Sequence, residues 1–505
     1  MGPDVTLHLG RWGEFALKYY YADDARPNIS TNVFPQYGNI PENRQRFRFS
    51  WQATPATNLN LKALVNYQSD PLFVHDFSEA DFSFDPQPGT FIEANKYWDN
   101  WSLDALATPR VNSFFNQVER LPDVRLTGFR QRVFDTPVYY DSESSAGYYR
   151  SFVSTATANT NGLYSSLNGT YAASAARADT YHQLTLPWTF FHWLNVTPRV
   201  GGRLTYYGSQ NFTNGQPNSD VTRGVFNAGI GTSFKSSRLW TGATNSLLQV
   251  DGLRHVIEPS ADYVYVPDPS TPPGQLPQFD AEQPSLLLPP LTFPDYNNID
   301  SIDTQNVIRF GLRNTLQTMR DGQLDNLLSW NLLLDWRLDP KPGQSRWNDL
   351  YSAFAFKPRT WLTLESQTRY DLEGRNLNMA FEQLTFAPDD RWSWGLGYWY
   401  LRNGAWGNGT WTENNLVTST LFVRLGDNWG ARMTHNYNLV SNRLQDQFYT
   451  LYRDLRSWTT AVTFRVSNNT GADTDFTIAL VLSLKAAPIV GVGDDVVNRY
   501  HLVGE

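Results

Sequence analysis

The chain has 505 residues, no cysteine, a formal net charge of -8, 18% charged residues and 15% aromatics. The lack of cysteine excludes disulfides, thiolate metal sites and cysteine nucleophiles, and an acidic balance with no basic stripe argues against a nucleic-acid partner. No apolar run approaches the roughly 20 residues that a membrane helix requires.

The chain opens on Met1-Gly-Pro-Asp and passes at once into strand-like sequence, without a charged-then-apolar leader. In an exported protein this start implies that a signal peptide and an upstream region have been removed. Residues 21–43 read as a polar loop. From Arg46 to Gln52, Phe47, Phe49 and Trp51 alternate with Arg46, Arg48, Ser50 and Gln52. From Asn58 to Tyr67 the apolar set is Leu59, Leu61, Ala63, Val65 and Tyr67. Successive side chains of a strand point to opposite faces, so each stretch predicts a strand with one apolar and one polar face. The segments around 151–176 and 237–250 are weakly patterned. Residues 266–295 carry nine prolines, which cannot donate to a ladder. This stretch is either an exposed loop or a segment that folds over or into an interior.

The alternation resumes with Ile308, Phe310, Leu312 and Leu316 against Arg309, Gly311, Arg313 and Thr315, and with Leu362, Leu364 and Tyr370 against Thr363, Glu365, Gln367 and Arg369. It continues through Trp392, Trp394, Leu396, Tyr398 and Tyr400, then Trp458, Val462, Phe464 and Val466, and ends on Phe476, Ile478, Leu480, Leu482 and Leu484. Arginine, lysine, glutamate and amides on the second face suit a wet lumen and not lipid. Arg46, Arg48, Arg309, Arg313, Glu365 and Arg369 are therefore candidate lining, with pairing to luminal Asp and Glu as the main use of the arginines.

Trp361, Trp392, Trp429 and Trp458 each follow a tight turn and are spaced by 31, 37 and 29 residues. That period fits a hairpin of two strands, one short turn and one longer loop, with the longer loops at 371–375, 402–414, 440–444 and 467–474. Short turns on one rim, longer loops on the other and a girdle of tryptophans describe an outer-membrane barrel. A soluble β-sandwich, propeller or carbohydrate-binding protein is the alternative. Roughly 22 to 24 strands are expected between residues 13 and 485, with a barrel over 1–485 and a short tail over 486–505.

Chemistry is not what the chain advertises. Its seven histidines show no metal-ligand spacing, and no phosphate-binding loop or nucleophile elbow is present. Glu365 and Glu382, read as sharing the luminal phase, would make a glycosidase pair only in principle; pore-lining charge is the simpler reading. Neither an enzyme nor a cofactor is expected.

Ser69-Asp70-Pro71 followed by Asp76-Phe77 resembles the Ser-Asp-Pro...Asp-Phe signature of the lipopolysaccharide-assembly LptD (OstA) family. Glu258-Pro259, Tyr263 to Pro267, Leu276-Pro277 with Phe279-Asp280, Asn298 to Asn306 and Val307 to Leu312 form a similar second block, and Asp475 to Lys485 with Gly491-Val-Gly493 a third. The resemblance implies an outer-membrane barrel of about 26 strands that receives lipopolysaccharide from a periplasmic bridge and releases it sideways between its first and last strands. It also implies an N-terminal periplasmic jelly roll and a lumen-plugging lipoprotein, LptE. Only the last-strand side of the gate carries over here, as Phe476, Ile478, Leu480, Leu482 and Leu484. A diffusion porin or a nutrient receptor is the competing reading.

Overall fold

The computed structural model describes residues 4–27, 40–78, 81, 85, 87–152, 154, 171–208, 211–212, 219–280, 288, 291, 298–402, 413–468, 474–484 and 487–492. Among these residues, twenty-seven strand segments form one antiparallel sheet. Three of them continue a neighbour: Trp188–Phe190 prolongs Tyr171–Thr185, Asn211–Phe212 prolongs Leu194–Tyr207, and Ser236–Asn245 prolongs Val221–Phe234. The remaining twenty-four strands pair each with the next in chain order, the up-and-down order of a large β-barrel. Among the described residues, helix is confined to short pieces such as Phe73–Phe77.

The two rims differ as the hairpin period requires. Trp392, Trp429 and Trp458 open the strands Trp392–Leu401, Trp429–Asn438 and Trp458–Ser467, and Trp361 stands one residue ahead of Leu362–Asp371. Trp361 and Trp392 pack on Phe386 with ring centroids 4.8 and 4.9 Å apart, and the Arg453 guanidinium lies over Trp429 at 4.3 Å. The opposite rim carries the longer connections. The polar loop begins after Asp23 and ends before Asn43, and the proline-rich one runs from 267 to 304, longer than proline content alone marks out. The segment Ala487–Val492 lies within the expected tail and pairs back on Asp475–Leu484.

Alternation sets the facing of most wall strands. Phe310, Leu364, Tyr370, Trp392, Trp394, Trp458, Val462 and Phe464 all emerge on the exposed outer face, while Asn66, Gln68, Arg369, Gln383, Thr418 and Thr463 are buried on the inner one. The first hairpin depends on a glycine: Gly13 has φ +73, and a Cβ there would stand 1.9 Å from the Gln52 carbonyl oxygen.

Pro259 explains one break in the ladder. The register between Val221–Phe234 and Val250–Val266 stops at Ser233 with Ser260, and pairing resumes at Ser236 with Ile257. Glu258 and Pro259 face the gap, where proline supplies no N–H. Lys235, in the gap, reaches Glu258 at 2.9 Å.

Candidate functional site

The inner face bears charges in pairs. Arg46 reaches Asp81 at 2.5 Å, Arg309 holds Asp335 by two hydrogen bonds of 2.6 and 2.8 Å, and Arg369 lies 3.3 Å from Asp349. Burial pushes the Asp81 carboxyl up, but the hydrogen bond and charge of Arg46, with Ser78 and the Arg48 charge, together outweigh it and leave Asp81 below the ordinary carboxylate value. Arg48 stands across from Lys18 and Asn66, and Arg313 across from Glu258 and Asn331. Glu365 stands across from Ala355 and Gln383 on the inner face. Glu382 does not join it. Its carboxylate accepts a 2.8 Å hydrogen bond from Ser366, and its register partner Tyr398 shares the outer face with Trp392 and Trp394. The wall thus separates the two carboxylates, which removes the glycosidase geometry. Among the described residues, no cluster of three metal-ligating side chains forms.

The Ser-Asp-Pro segment closes around a buried cation at the long-loop rim. Asp70 takes two hydrogen bonds from Arg44, of 3.0 and 2.6 Å, and Asp76 and Asp24 approach the same guanidinium at 2.6 and 3.0 Å. Ser69 donates to Asp70 at 2.8 Å and its hydroxyl accepts from the Gln45 amide at 3.1 Å. The Asp70 carboxylate also caps the Leu72 amide at 3.1 Å, just past Pro71, where the helix Phe73–Phe77 begins. Phe73 and Phe77 flank Arg44 at 5.8 and 4.8 Å. Three carboxylates and two rings around one guanidinium lock the loop onto the wall.

A second buried centre fixes the proline-rich loop. Arg177, on the inner face of Tyr171–Thr185, binds Asp280 at 2.6 Å and Asp300 at 2.8 Å, all three fully buried or nearly so. Tyr207 donates to Asp300 at 2.5 Å, and the Phe279 and Asp280 amides donate to its other oxygen at 2.7 and 3.2 Å. Arg223 donates to the carbonyls of Ile299, Asp300 and Ile302. Phe279 stacks on Tyr149 at 5.4 Å, and Leu291 and Ile302 join Val225, Val264, Val266 and Val307 in an apolar cluster. Of the two readings of this stretch, the inward one holds for its described residues. Burial pushes the Asp280 carboxyl up to about 6, with the Asp300 charge adding to it and Arg177 opposing.

The sheet's first and last strands, among the described residues, do not pair with each other. Among the described residues, Asp4–His8 pairs only with Glu14–Asp23, and Ala487–Val492 only with Asp475–Leu484. Phe476, Ile478 and Leu480 point outward and are 64%, 75% and 52% exposed, against 39–41% for Trp458, Val462 and Phe464 on the strand before. Leu482 is half-buried; the side chain of Leu484 lies outside the described residues.

A family model described as LptD, LPS transport system D, matches residues 42–429, well over half of the chain. The chain belongs to the LptD family. It is therefore a protein of the outer membrane with a role in lipopolysaccharide transport. No curated protein matches it by sequence. Among solved structures, the siderophore receptor PirA from Acinetobacter baumannii is similar at 9% identity and TM-score 0.33, covering 93% of this chain and 74% of that one. A mutant ferric enterobactin receptor PfeA from Pseudomonas aeruginosa gives 10% identity, a TM-score of 0.34 and coverage of 93% and 72%.

The stretch matched by the LptD model contains both the Ser-Asp-Pro and the Glu-Pro blocks; the terminal block lies beyond it. The structure gives the first two a physical meaning: one builds the Arg44 centre and the other breaks a ladder. Sequence reasoning passed over Arg44, Asp24, Arg177, Tyr207, Arg223 and Asp300. Arg44 had a signal, since it precedes Arg46 and Arg48 at the same alternation. Arg177 and Asp300 lie 123 positions apart and had none.

Proposed function

We propose that this LptD-family chain takes lipopolysaccharide into its lumen and releases it into the outer leaflet between its first and last strands. The observation that carries the reading is the match to the LPS transport system D family over residues 42–429, on a wall of antiparallel strands with an apolar outer face and paired charges on its inner one. A closed barrel offers an amphiphile no sideways exit, so one seam has to part at low cost. Paired inner-face charges keep the lumen hydrated for an anionic saccharide headgroup while acyl chains remain in lipid. In this reading a periplasmic bridge delivers the substrate and an LptE-like lipoprotein fills the lumen.

The test places a photo-crosslinker at Leu480 or Leu482 of the natural full-length protein and asks whether labelled lipopolysaccharide is captured in an energy-dependent way. Capture is the expected result. Its absence, with small-solute conductance in planar bilayers, would transfer the protein to the porin reading.

A further inference from the structure

The hairpin that turns at 246–249 departs from the other short turns of the wall. Elsewhere a strand runs at most five positions past its last pairing with the preceding strand, as from Thr185 to Phe190 or from Gln52 to Ala56. Here the preceding strand stops at Leu194 opposite Phe234, and the chain continues 11 positions further, to Asn245. Ser236–Asn245 pairs with Val250–Val266 on one side. On its other side no strand pairs with it among the described residues, and all of its residues but Ala243 are exposed. This edge lies on the short-turn rim, the periplasmic side of an outer-membrane barrel.

A bare edge offers unpaired N–H and C=O groups, the template for adding a strand. The register shift between Trp240 and Thr244, beside Gly252 at φ +70, kinks the tip and leaves Ser236 to Trp240 as the regular part. Leu239 is 62% exposed, and Arg238 lies over Trp240 at 5.2 Å. Arg238 has no carboxylate within ion-pair distance among the described residues, unlike Arg44, Arg177, Arg309 and Arg369.

We propose that Ser236 to Trp240 is a docking edge for an extended strand of a periplasmic protein, joined through its main chain and carrying a carboxylate that meets Arg238. A second copy of this chain fits less well, because antiparallel self-pairing centred on Arg238 sets two guanidinium groups opposite each other. Lipid supplies no backbone groups to pair.

The test compares amide hydrogen exchange of 236–240 in outer membranes isolated from the native cell with the same protein purified into nanodiscs of the extracted lipid. About tenfold slower exchange in the native membrane is expected. Arg238→Glu, with heat-resistant folding retained, should bring the native-membrane rate up to the purified one. A photo-crosslinker at Ser236 should give an adduct that maps to an extended segment bearing Asp or Glu. Equal exchange in both preparations, or adducts with phospholipid alone, overturns the proposal.

Discussion

The inner face of this barrel is built in two chemistries. From Arg44 to Arg369 it is a sequence of buried guanidinium groups answered by carboxylates. Beyond Gly395 it is nearly neutral: Gly395, Thr420 and Thr434 form one cross-strand row and Gly397, Thr418 and Asn436 the next, with Thr450 bonded to Thr463 at 2.9 Å. Among the described residues, an ion pair there joins Arg465 to Asp446 at 3.0 Å. The buried ion pairs of the charged region hold, among the described residues, the segments at 69–78 and 276–302. A buried ion pair fixes one geometry because breaking it strands a charge, whereas a hydroxyl exchanges its partner for water at little cost.

Removing Arg177 tests this difference most severely. Arg177→Leu leaves Asp280 and Asp300 buried without their main cation, a loss of about 3–5 kcal/mol. Protease added from the long-loop side should then cut within 267–304, while the wall keeps its heat-resistant mobility. An uncut loop would mean that the apolar cluster around Val264 and Ile302 suffices, and the contrast between the regions would fail.

A smaller effect is expected from pH. The docked Asp280 titrates at about 6, above the roughly 3.9 of a free aspartate, so the docked loop binds a proton more readily than the released one. The protonated form's contribution to docking is complete below about pH 4 and is lost as pH rises through about 6. Cleavage within 267–304 should therefore be slower near pH 5 than near pH 7. The reverse order would place the ion pair with Arg177 above burial as the controlling force.

The least effect is expected in the neutral stretch. Thr450→Val combined with Thr463→Val removes both partners of one hydrogen bond and should change the urea midpoint by the equivalent of under about 1 kcal/mol. A loss as large as that of Arg177→Leu would show that hydroxyl rows also fix geometry.

Legibility in the sequence follows the same division. Strand facing was readable wherever local alternation sets it, as at Ile308 to Leu316 or Trp392 to Tyr400, because a period of two is written in neighbouring residues. The strand Tyr171–Thr185, whose start falls in the weakly patterned 151–176 segment, hid its role. Ala173, Ala175 and Arg177 face inward together, and their partners Phe279, Asp280 and Asp300 come from a loop whose prolines signal only the end of a ladder. Asp70 and Asp76 were found through a family resemblance, yet the cation that gives them meaning sits on another strand. Glu382 was misassigned because the alternation of Asn376–Phe386 is irregular: the register against Leu362–Asp371 slips between Arg369 and Tyr370, which places Met379 and Phe381 inside and a carboxylate outside.

The gap opposite Pro259 divides one long hairpin into two mechanical parts. Above Lys235 the strand is tied on both sides and moves with the wall; below it, Ser236–Asn245 is tied on one side only. A pull on the 246–249 turn therefore meets a missing rung at Lys235, and the lower arm can swing while the register above it stays in place.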